Sequence, residues 1–302
     1  MQLTVLRYLI AAAEEGSFTR AAEKLYVAQP SLSQAIHALE NELGVRLFQR
    51  TGRSVRLTPS GEACLKWARS VVSSEESMRT YIGSAPGGLR VMRIGASPYR
   101  SKELLPKAIL RFSAQNPGCS VILRDESETN MYDLLDSGDL DLLIDLRPGA
   151  GYTYDGLFSE RVLVAASRDL ELPSRPGHDF PVVRLMDLVR LPVVMISSPR
   201  GSSPQRLGPL MNEIYRRSEA FPLTVCTCSG AELACRLASE GLGYTLAPDM
   251  AAYSGTFPDL IFYRIEEMPM ERDVCAIRKS GAAYNEDVSA FTEILRENRV
   301  RS

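Results

Sequence analysis

Residues 17–58 read SFTRAAEKLYVAQPSLSQAIHALENELGVRLFQRTGRSVRLT, and this stretch decides the fold of the N-terminal part of the chain. Ser17 precedes an apolar run at helical spacing and is suited to cap that helix, because its hydroxyl can accept a backbone N–H. Pro30 suits the first turn of the next helix, where a missing N–H leaves no hydrogen bond unmade. Two short helices joined by the brief connection Tyr26–Gln29 predict a helix-turn-helix.

The helix that starts near Pro30 has two different sides. Its apolar residues recur at intervals of three and four, which predicts one buried side. The residues of that side are Leu32, Ile36, Leu39 and Leu43. The opposite side is short, uncharged and rich in hydrogen-bonding groups. It carries Pro30, Ser33, Gln34, His37 and Asn41. Such a side can enter a major groove, where glutamine bonds adenine and serine bonds a base or a phosphate.

Basic residues follow this helix. The segment Arg50–Leu57 predicts two short extended pieces, a hairpin-like wing around Thr51-Gly52-Arg53. Between Leu43 and Gly61 there are four arginines and no acidic residue, although the net charge of the whole chain is −2. Because binding to phosphates depends on local patches of charge, the wing is predicted to hold a DNA backbone.

A long helix is predicted from Pro59 to about Ser84, before the break at Pro86-Gly87-Gly88. Its apolar residues fall on a heptad seam in which Glu75 is the one polar member. The seam residues are Cys64, Ala68, Val71, Met78 and Ile82, flanked by Trp67 and Tyr81. A solitary helix of this length needs a partner for its apolar stripe, and we expect a second copy of the helix to supply it.

From Leu89 onward strand and helix patterns alternate, which predicts largely parallel α/β sheets. The predicted strands are Val91–Ala96, Ser120–Arg124, Asp141–Asp145, Arg161–Ala166, Pro192–Ile196, Leu223–Cys228, Gly243–Ala247, Leu260–Ile265 and Asp273–Arg278. Helices are predicted at about 101–115, 129–138, 203–217, 229–240 and 284–299. Nine strands exceed what one small sheet usually holds, so we expect two subdomains with a cleft between them.

The N-terminal segment closely resembles the DNA-binding domain of LysR-type transcriptional regulators. The resemblance is carried by Ser17-Phe18, Ala21-Ala22, Ser33-Gln34-Ala35-Ile36, Leu39-Glu40, Leu43-Gly44, Leu47-Phe48, Arg50, Thr58-Pro59 and Gly61. Over 89–302 it rests on layout and on Gly241-x-Gly243 followed by Pro248. It implies an α/β protein with an N-terminal winged helix-turn-helix, a long linker helix and a two-subdomain α/β effector domain of the type II periplasmic-binding-protein kind.

The resemblance also implies a division into domains. The winged helix-turn-helix would occupy 1–58, the linker and dimerisation helix 59–88, and the effector-binding domain 89–302. Within the effector domain, the first subdomain would comprise about 89–163 with 267–302, and the second about 164–266.

By the same resemblance, family members approach DNA at positions that correspond here to Gln29, Pro30, Ser31, Ser33, Gln34 and His37. Many relatives carry arginine where this chain has Gln34, which leaves open which bases are read there. Arg50 and Arg53 correspond to wing positions that touch phosphate or the minor groove.

An effector site is predicted at the carboxyl ends of the strands, where open α/β sheets bind ligands. Several loops there lead into helices, whose first N–H groups favour an anion. We therefore predict a small polar metabolite with a carboxylate. The residues predicted to hold it are Ser97, Thr129, Ser198, Arg200 and Ser202.

Together, the patterns and the resemblance favour a sequence-specific DNA-binding transcription regulator. The resemblance implies that a small-molecule effector controls it and that it assembles as a homodimer or homotetramer. An enzyme is not predicted, because no GxSxG, P-loop or HExxH motif occurs. No cofactor or metal is predicted either, since the six cysteines lack CxxC spacing and the two histidines lie far apart.

The N-terminus reads as an amphipathic helix and no apolar run could span a bilayer, so the expected location is the cytoplasm. The alternatives are a solute-binding module or a redox-sensing module, the latter through Cys226-x-Cys228, with no regulated promoter. A gel shift with promoter DNA separates these from a regulator.

Overall fold

The computed structural model describes residues 2–51, 54–83, 90–125, 128–170, 172–198, 203–282 and 285–299. They form two compact units. The first comprises Met1–Ile94, Pro117–Ile122 and Asn130–Leu142, and the second comprises Gly95–Asn116, Leu123–Thr129 and Leu143–Ser302. Among the residues that the structure describes, no helix is both long enough and apolar enough to cross a membrane.

The chain begins with α1 (Leu3–Glu15), α2 (Phe18–Lys24), α3 (Gln29–Leu43), β1 (Phe48–Thr51), β2 (Ser54–Leu57) and α4 (Pro59–Gly83). β1 and β2 are antiparallel, so the three helices and the hairpin form the predicted winged helix-turn-helix. Ser17 caps α2 as predicted, with its hydroxyl accepting the N–H of Arg20 at 3.4 Å. Pro30 lies in the first turn of α3, and Gly44 follows the last turn with φ of 68°, a conformation that favours glycine.

The remaining elements are, in chain order, β3 (Arg90–Ala96), α5 (Pro98–Glu103), α6 (Leu105–Gln115), β4 (Cys119–Arg124), α7 (Glu128–Ser137), β5 (Leu142–Leu146), β6 (Tyr152–Ser167), β7 (Ser174–Arg175), β8 (Val182–Val183), α8 (Leu185–Leu188), β9 (Pro192–Ile196), α9 (Leu207–Arg217), β10 (Leu223–Cys228), α10 (Ala231–Ser239), β11 (Thr245–Pro248), α11 (Met250–Tyr253), β12 (Leu260–Ile265), β13 (Glu271–Lys279) and α12 (Glu286–Arg299).

Two apolar clusters hold the winged helix-turn-helix together. Leu32 and Ile36 of α3 belong to one cluster, and Leu39 belongs to the other with residues of α1 and α4. The prediction that Leu43 is buried is wrong, since this side chain is 44% exposed. The chain turns after α3, and Leu47 is fully buried in the second cluster. Leu47, and not Leu43, therefore completes this part of the core.

The apolar stripe of α4 is partly covered within the same chain. Ala68 and Val72 are buried in a cluster with residues of α1. Glu75 is also buried, and its Oε2 lies 2.8 Å from Nη2 of Arg7 in α1, which explains the polar member of the predicted seam. In this half of the helix, part of the predicted seam therefore packs against α1 of the same chain. The large apolar side chains exposed in this half are Trp67 and Val71. The side chains of Met78, Tyr81 and Ile82 lie outside the described part.

The second unit is built around a long strand. Its main strands follow the order β5-β13-β6-β12-β8-β7, with β11 also paired with β6, and β9 and β10 form a separate parallel pair. β6 has 16 residues, of which only Arg161–Ala166 were predicted, and it pairs antiparallel with β11, β12 and β13. The prediction of largely parallel sheets is wrong for β6, because the alternation of elements along a chain does not determine which strands become neighbours.

The helix predicted at about 101–115 is two helices, α5 and α6. Pro106 lies in the first turn of α6, where its ring is compatible with a helix start but not with a helix interior. The separate helix α5 begins directly after β3. Ser97, which joins them, is one of the predicted effector-binding residues.

Candidate DNA-binding surface and effector site

The predicted reading face of α3 is present. Residues in an α-helix are separated by about 100° of rotation, so Pro30, Gln34 and His37 lie close together on one face, with Ser33 beside them. Pro30 and Gln34 are exposed and Ser33 and His37 are half-buried, opposite the buried residues of the helix. Gln29 and Ser31 lie to either side of Pro30 in the first turn, half-buried and exposed respectively.

A buried carboxylate ties this helix to the wing. Oε1 of Glu40 accepts the backbone N–H groups of Leu47 at 2.8 Å and Phe48 at 3.1 Å. Its Oε2 lies 2.9 Å from Nη1 of Arg46 and 3.0 Å from Nδ1 of His37. Burial opposes ionisation of this carboxyl, but the hydrogen bonds from these four groups outweigh it and lower the pKa of Glu40 below its ordinary value. The sequence showed Glu40 only as part of a family motif.

The structure describes little of the two wing arginines that are predicted to contact DNA, Arg50 and Arg53. The backbone of Arg50 belongs to β1, where it is paired with Val55, but its side chain lies outside the described part. Arg53 lies outside the described residues altogether. Both remain predictions.

Two of the five predicted effector residues have described side chains. Ser97 is half-buried and caps α5, its hydroxyl accepting the N–H of Arg100 at 3.5 Å. Ser198 is half-buried beside the first turn of α9, where a Cβ on Gly208 would come within 2.6 Å of its Oγ. The side chain of Thr129 lies outside the described part of α7, and Arg200 and Ser202 lie outside the described residues.

Five charged side chains form a buried cluster near Ser97, and the sequence analysis did not predict it. Oε1 of Glu160 lies 2.7 Å from Nη2 of Arg100 and 2.6 Å from Nε of Arg272. Asp145 pairs with Nη1 of Arg100 at 3.3 Å and also with Arg206. We call these five residues the arginine cluster. Its members are at most 15% exposed, and Glu160 is fully buried.

The arginine cluster carries a surplus of positive charge. Arg100 and Arg272 lower the pKa of the Glu160 carboxyl below its ordinary value despite burial, so this group is ionised at neutral pH. Burial lowers the pKa of Arg272 to about 10, which still leaves its guanidinium charged. Among the five members, three guanidinium groups thus face two carboxylates. Nε of Arg100 and Oε2 of Glu160 each lack a hydrogen-bond partner among the described residues.

The alternative of a redox sensor depends on thiols that ionise easily. Burial raises the pKa of Cys228 above its ordinary value and that of the neighbouring Cys235 to about 12. Because the thiolate is the form that reacts with oxidants, these two thiols are poorly suited to sensing. Cys226, the other member of the predicted pair, is half-buried and packs against the same core as Cys228.

Comparisons with known proteins agree with both halves of the chain. The family model described as bacterial regulatory helix-turn-helix protein, lysR family, matches residues 3–62, and the one described as LysR substrate binding domain matches residues 87–299. The HTH-type transcriptional regulator ClcR of Pseudomonas putida is 30% identical over 87% of each chain. The SDS degradation transcriptional activation protein of Pseudomonas sp. (strain ATCC 19151) is 37% identical over 47% of each chain.

Solved structures show the same fold. CbnR, described as a LysR family transcriptional regulator, matches with a TM-score of 0.68 and 22% identity over 98% of this chain and 99% of its own. CbnR has also been solved in complex with its target DNA. The two family models and the curated relatives show that the chain belongs to the LysR family and is a DNA-binding transcriptional regulator with an effector-binding domain, not an enzyme.

Proposed function

We propose that α3 reads promoter DNA with the face formed by Pro30, Ser33, Gln34 and His37, with Gln29 and Ser31 at its edges. The observation that carries the proposal is the exposure of a polar, uncharged face on a helix whose other side is buried. Arg50 and Arg53 of the wing would hold the phosphate backbone and fix the position of α3 in the groove.

Replacing Gln34 with Ala is expected to relax the preference for one base pair by about 1–3 kcal/mol, because a glutamine amide bonds adenine at two atoms. Duplexes selected from a random library by the full-length protein measure this preference, with Ser33→Ala as a second variant. Gln115→Ala is the matched control, since this glutamine is exposed at the end of α6. If both α3 variants select the same sequences as the wild type, α3 does not read bases.

The assembly that we propose follows from the linker helix. We place the winged helix-turn-helix at 1–58, the linker at 59–88 and the effector domain at 89–302. Trp67 and Val71 are exposed on α4, which leaves apolar surface for a second copy. Paired linkers would set two copies of α3 about one turn of DNA apart, or a multiple of it, and pairing of effector domains would complete a tetramer in the cytoplasm.

We propose that the effector is a small metabolite with a carboxylate, bound near Ser97 and Ser198 together with Thr129, Arg200 and Ser202. Ser97 caps α5, the helix that carries Arg100, so this predicted ligand residue lies next to the arginine cluster. Arginines outnumber acidic residues in that cluster, which supports an anionic ligand. A ligand that binds one geometry of the effector domain more tightly would shift the population of assembly shapes and hence the bend of the DNA.

A screen of small carboxylates against the full-length protein is expected to find compounds that raise its melting temperature by roughly 5 °C at about a hundredfold excess over Kd. The corresponding amides should give no shift. Ser198→Ala should weaken binding by about tenfold, since hydrogen bonds to a charged group are worth about 1.5–3 kcal/mol. Ser113→Ala, an exposed serine of α6, serves as the control. Equal shifts from acids and amides would contradict an anion site.

A further inference from the structure

His37 differs from the other polar residues of the α3 face, because one of its ring nitrogens is engaged inside the protein. Its Nδ1 lies 3.0 Å from Oε2 of Glu40, a side chain that is 3% exposed. A bare Nδ1 would direct its lone pair at a carboxylate oxygen. The contact is favourable only when Nδ1 carries the proton and donates it, so the position of Glu40 selects this tautomer.

The charged groups facing His37 in the described structure are Glu40 and Arg46. Nη1 of Arg46 is 2.9 Å from the same Oε2 and 3.5 Å from Nδ1 of His37, so its shorter contact is with the carboxylate. The carboxylate stays ionised wherever imidazole titrates, because the surrounding donors lower the pKa of Glu40 below its ordinary value of 4.5. It therefore holds Nδ1–H in both charge states of the ring.

The ring nitrogen that Glu40 does not engage is Nε2, and the His37 side chain is 45% exposed. In the neutral ring with Nδ1 protonated, Nε2 is only an acceptor. In the major groove, adenine N6 and cytosine N4 offer donors, whereas guanine offers only the acceptors O6 and N7. The charge state of one ring thus decides which bases it can bond.

We propose that Glu40 makes His37 a proton-dependent reader of one base in each half-site. The neutral ring accepts a hydrogen bond through Nε2 from the amino group of adenine or cytosine. The ring with a second proton donates through Nε2 to guanine or to a phosphate. His37 contacts the base, and Glu40 is a positioning residue that acts through it. The proposal rests on the role of α3 in reading DNA.

The chain offers a matched control, because it has two histidines. His178 is 94% exposed in the loop between β7 and β8, with Nδ1 2.6 Å from Oδ1 of Asp179. Full-length wild type, His37→Gln and His178→Gln would each select duplexes from a random library near the two ends of the range of about pH 5 to 8 in which imidazole titrates. A glutamine can both donate and accept, at either pH.

In the wild type, we expect one position to prefer adenine or cytosine over guanine by about fivefold or more at the upper pH and to lose or reverse this preference at the lower pH. His178→Gln should behave in the same way, and His37→Gln should select the same base at both pH values. A wild-type preference that does not change with pH, or a change that persists in His37→Gln, overturns the proposal. A wild type without any sequence preference would instead overturn the reading role of α3.

The tautomer has a direct readout that does not depend on DNA. In full-length protein labelled with ¹⁵N-histidine, two imidazole rings are observed, and His37→Gln identifies which signals belong to His37. In the neutral ring, we expect the proton on Nδ1 and none on Nε2. Glu40→Gln, checked for folding by circular dichroism, should shift this balance towards protonated Nε2. A neutral wild-type His37 ring with its single proton on Nε2 overturns the proposal, whether or not the Glu40 variant folds.

Discussion

Glu160→Gln is expected to lower the free energy of unfolding of the effector domain by about 3–5 kcal/mol, because it leaves three buried guanidinium groups facing one carboxylate. The substitution keeps the size of the side chain, so the loss reflects charge and not packing. Glu160 lies opposite Arg272 on β6 and β13, and hydrogen exchange of these two strands should report the change most directly.

The effect of Glu160 should also depend on pH. Its folded-state pKa is lowered below the ordinary value of 4.5, so its stabilising contribution is fully present above that value and is lost as the pH falls through the lower folded value. Denaturant unfolding at neutral pH and at a series of pH values below 4.5 tests this. The difference between wild type and variant should be full at neutral pH, should begin to shrink below pH 4.5 and should vanish only below the lower folded-state pKa.

Glu293→Gln is the matched control for this change. Glu293 is 65% exposed and pairs with Arg296 on the surface of α12. An exposed pair of this kind contributes at most about 1 kcal/mol, so the control should unfold almost as the wild type does. If Glu160→Gln had an equally small effect, the carboxyl could not be ionised and the surplus charge of the arginine cluster would be larger than we infer.

Gly61→Ala is expected to abolish DNA binding by disrupting the junction between the wing and α4. A Cβ on Gly61 would lie 2.0 Å from the carbonyl oxygen of Leu47 and 2.9 Å from Cδ2 of Leu57. The backbone cannot yield freely, because Thr58 donates its N–H to the same oxygen at 2.9 Å and accepts the N–H of Gly61 at 3.0 Å. Overpacking and the loss of these hydrogen bonds together cost about 3 kcal/mol.

The sign of this result is informative. In an unobstructed helix, replacing glycine with alanine stabilises the helix by about 1 kcal/mol. A loss of stability in Gly61→Ala would therefore come from the close approach of the new Cβ to the carbonyl oxygen of Leu47. Fluorescence anisotropy with a labelled duplex measures binding, and hydrogen exchange over α1 to α4 measures loss of structure. Ser60→Ala is the control, since this neighbouring side chain is exposed. Normal binding by Gly61→Ala would mean that the start of α4 is not packed against the wing.

The sequence by itself determined the winged helix-turn-helix, because the signals are local. The cap at Ser17, the proline at the start of α3 and the spacing of Leu32, Ile36 and Leu39 all concern residues within a few turns of each other. The error at Leu43 arose where the chain leaves the helix, since the spacing of apolar residues cannot show that Leu47 returns to the same core.

Only the tertiary structure decided the chemistry of the two sites. Glu40 and His37 are only three residues apart in the sequence. The Glu40 carboxylate is buried, however, because the backbone of Leu47 and Phe48 folds back and donates hydrogen bonds to it, and this could not be read from the spacing. The arginine cluster gathers residues from α5, β5, β6 and β13 and from the start of α9, and nothing in the spacing of these charges marks them as neighbours. Periodicity reports which side of an element is buried, whereas strand pairing and the register of long-range contacts determine which buried charges meet.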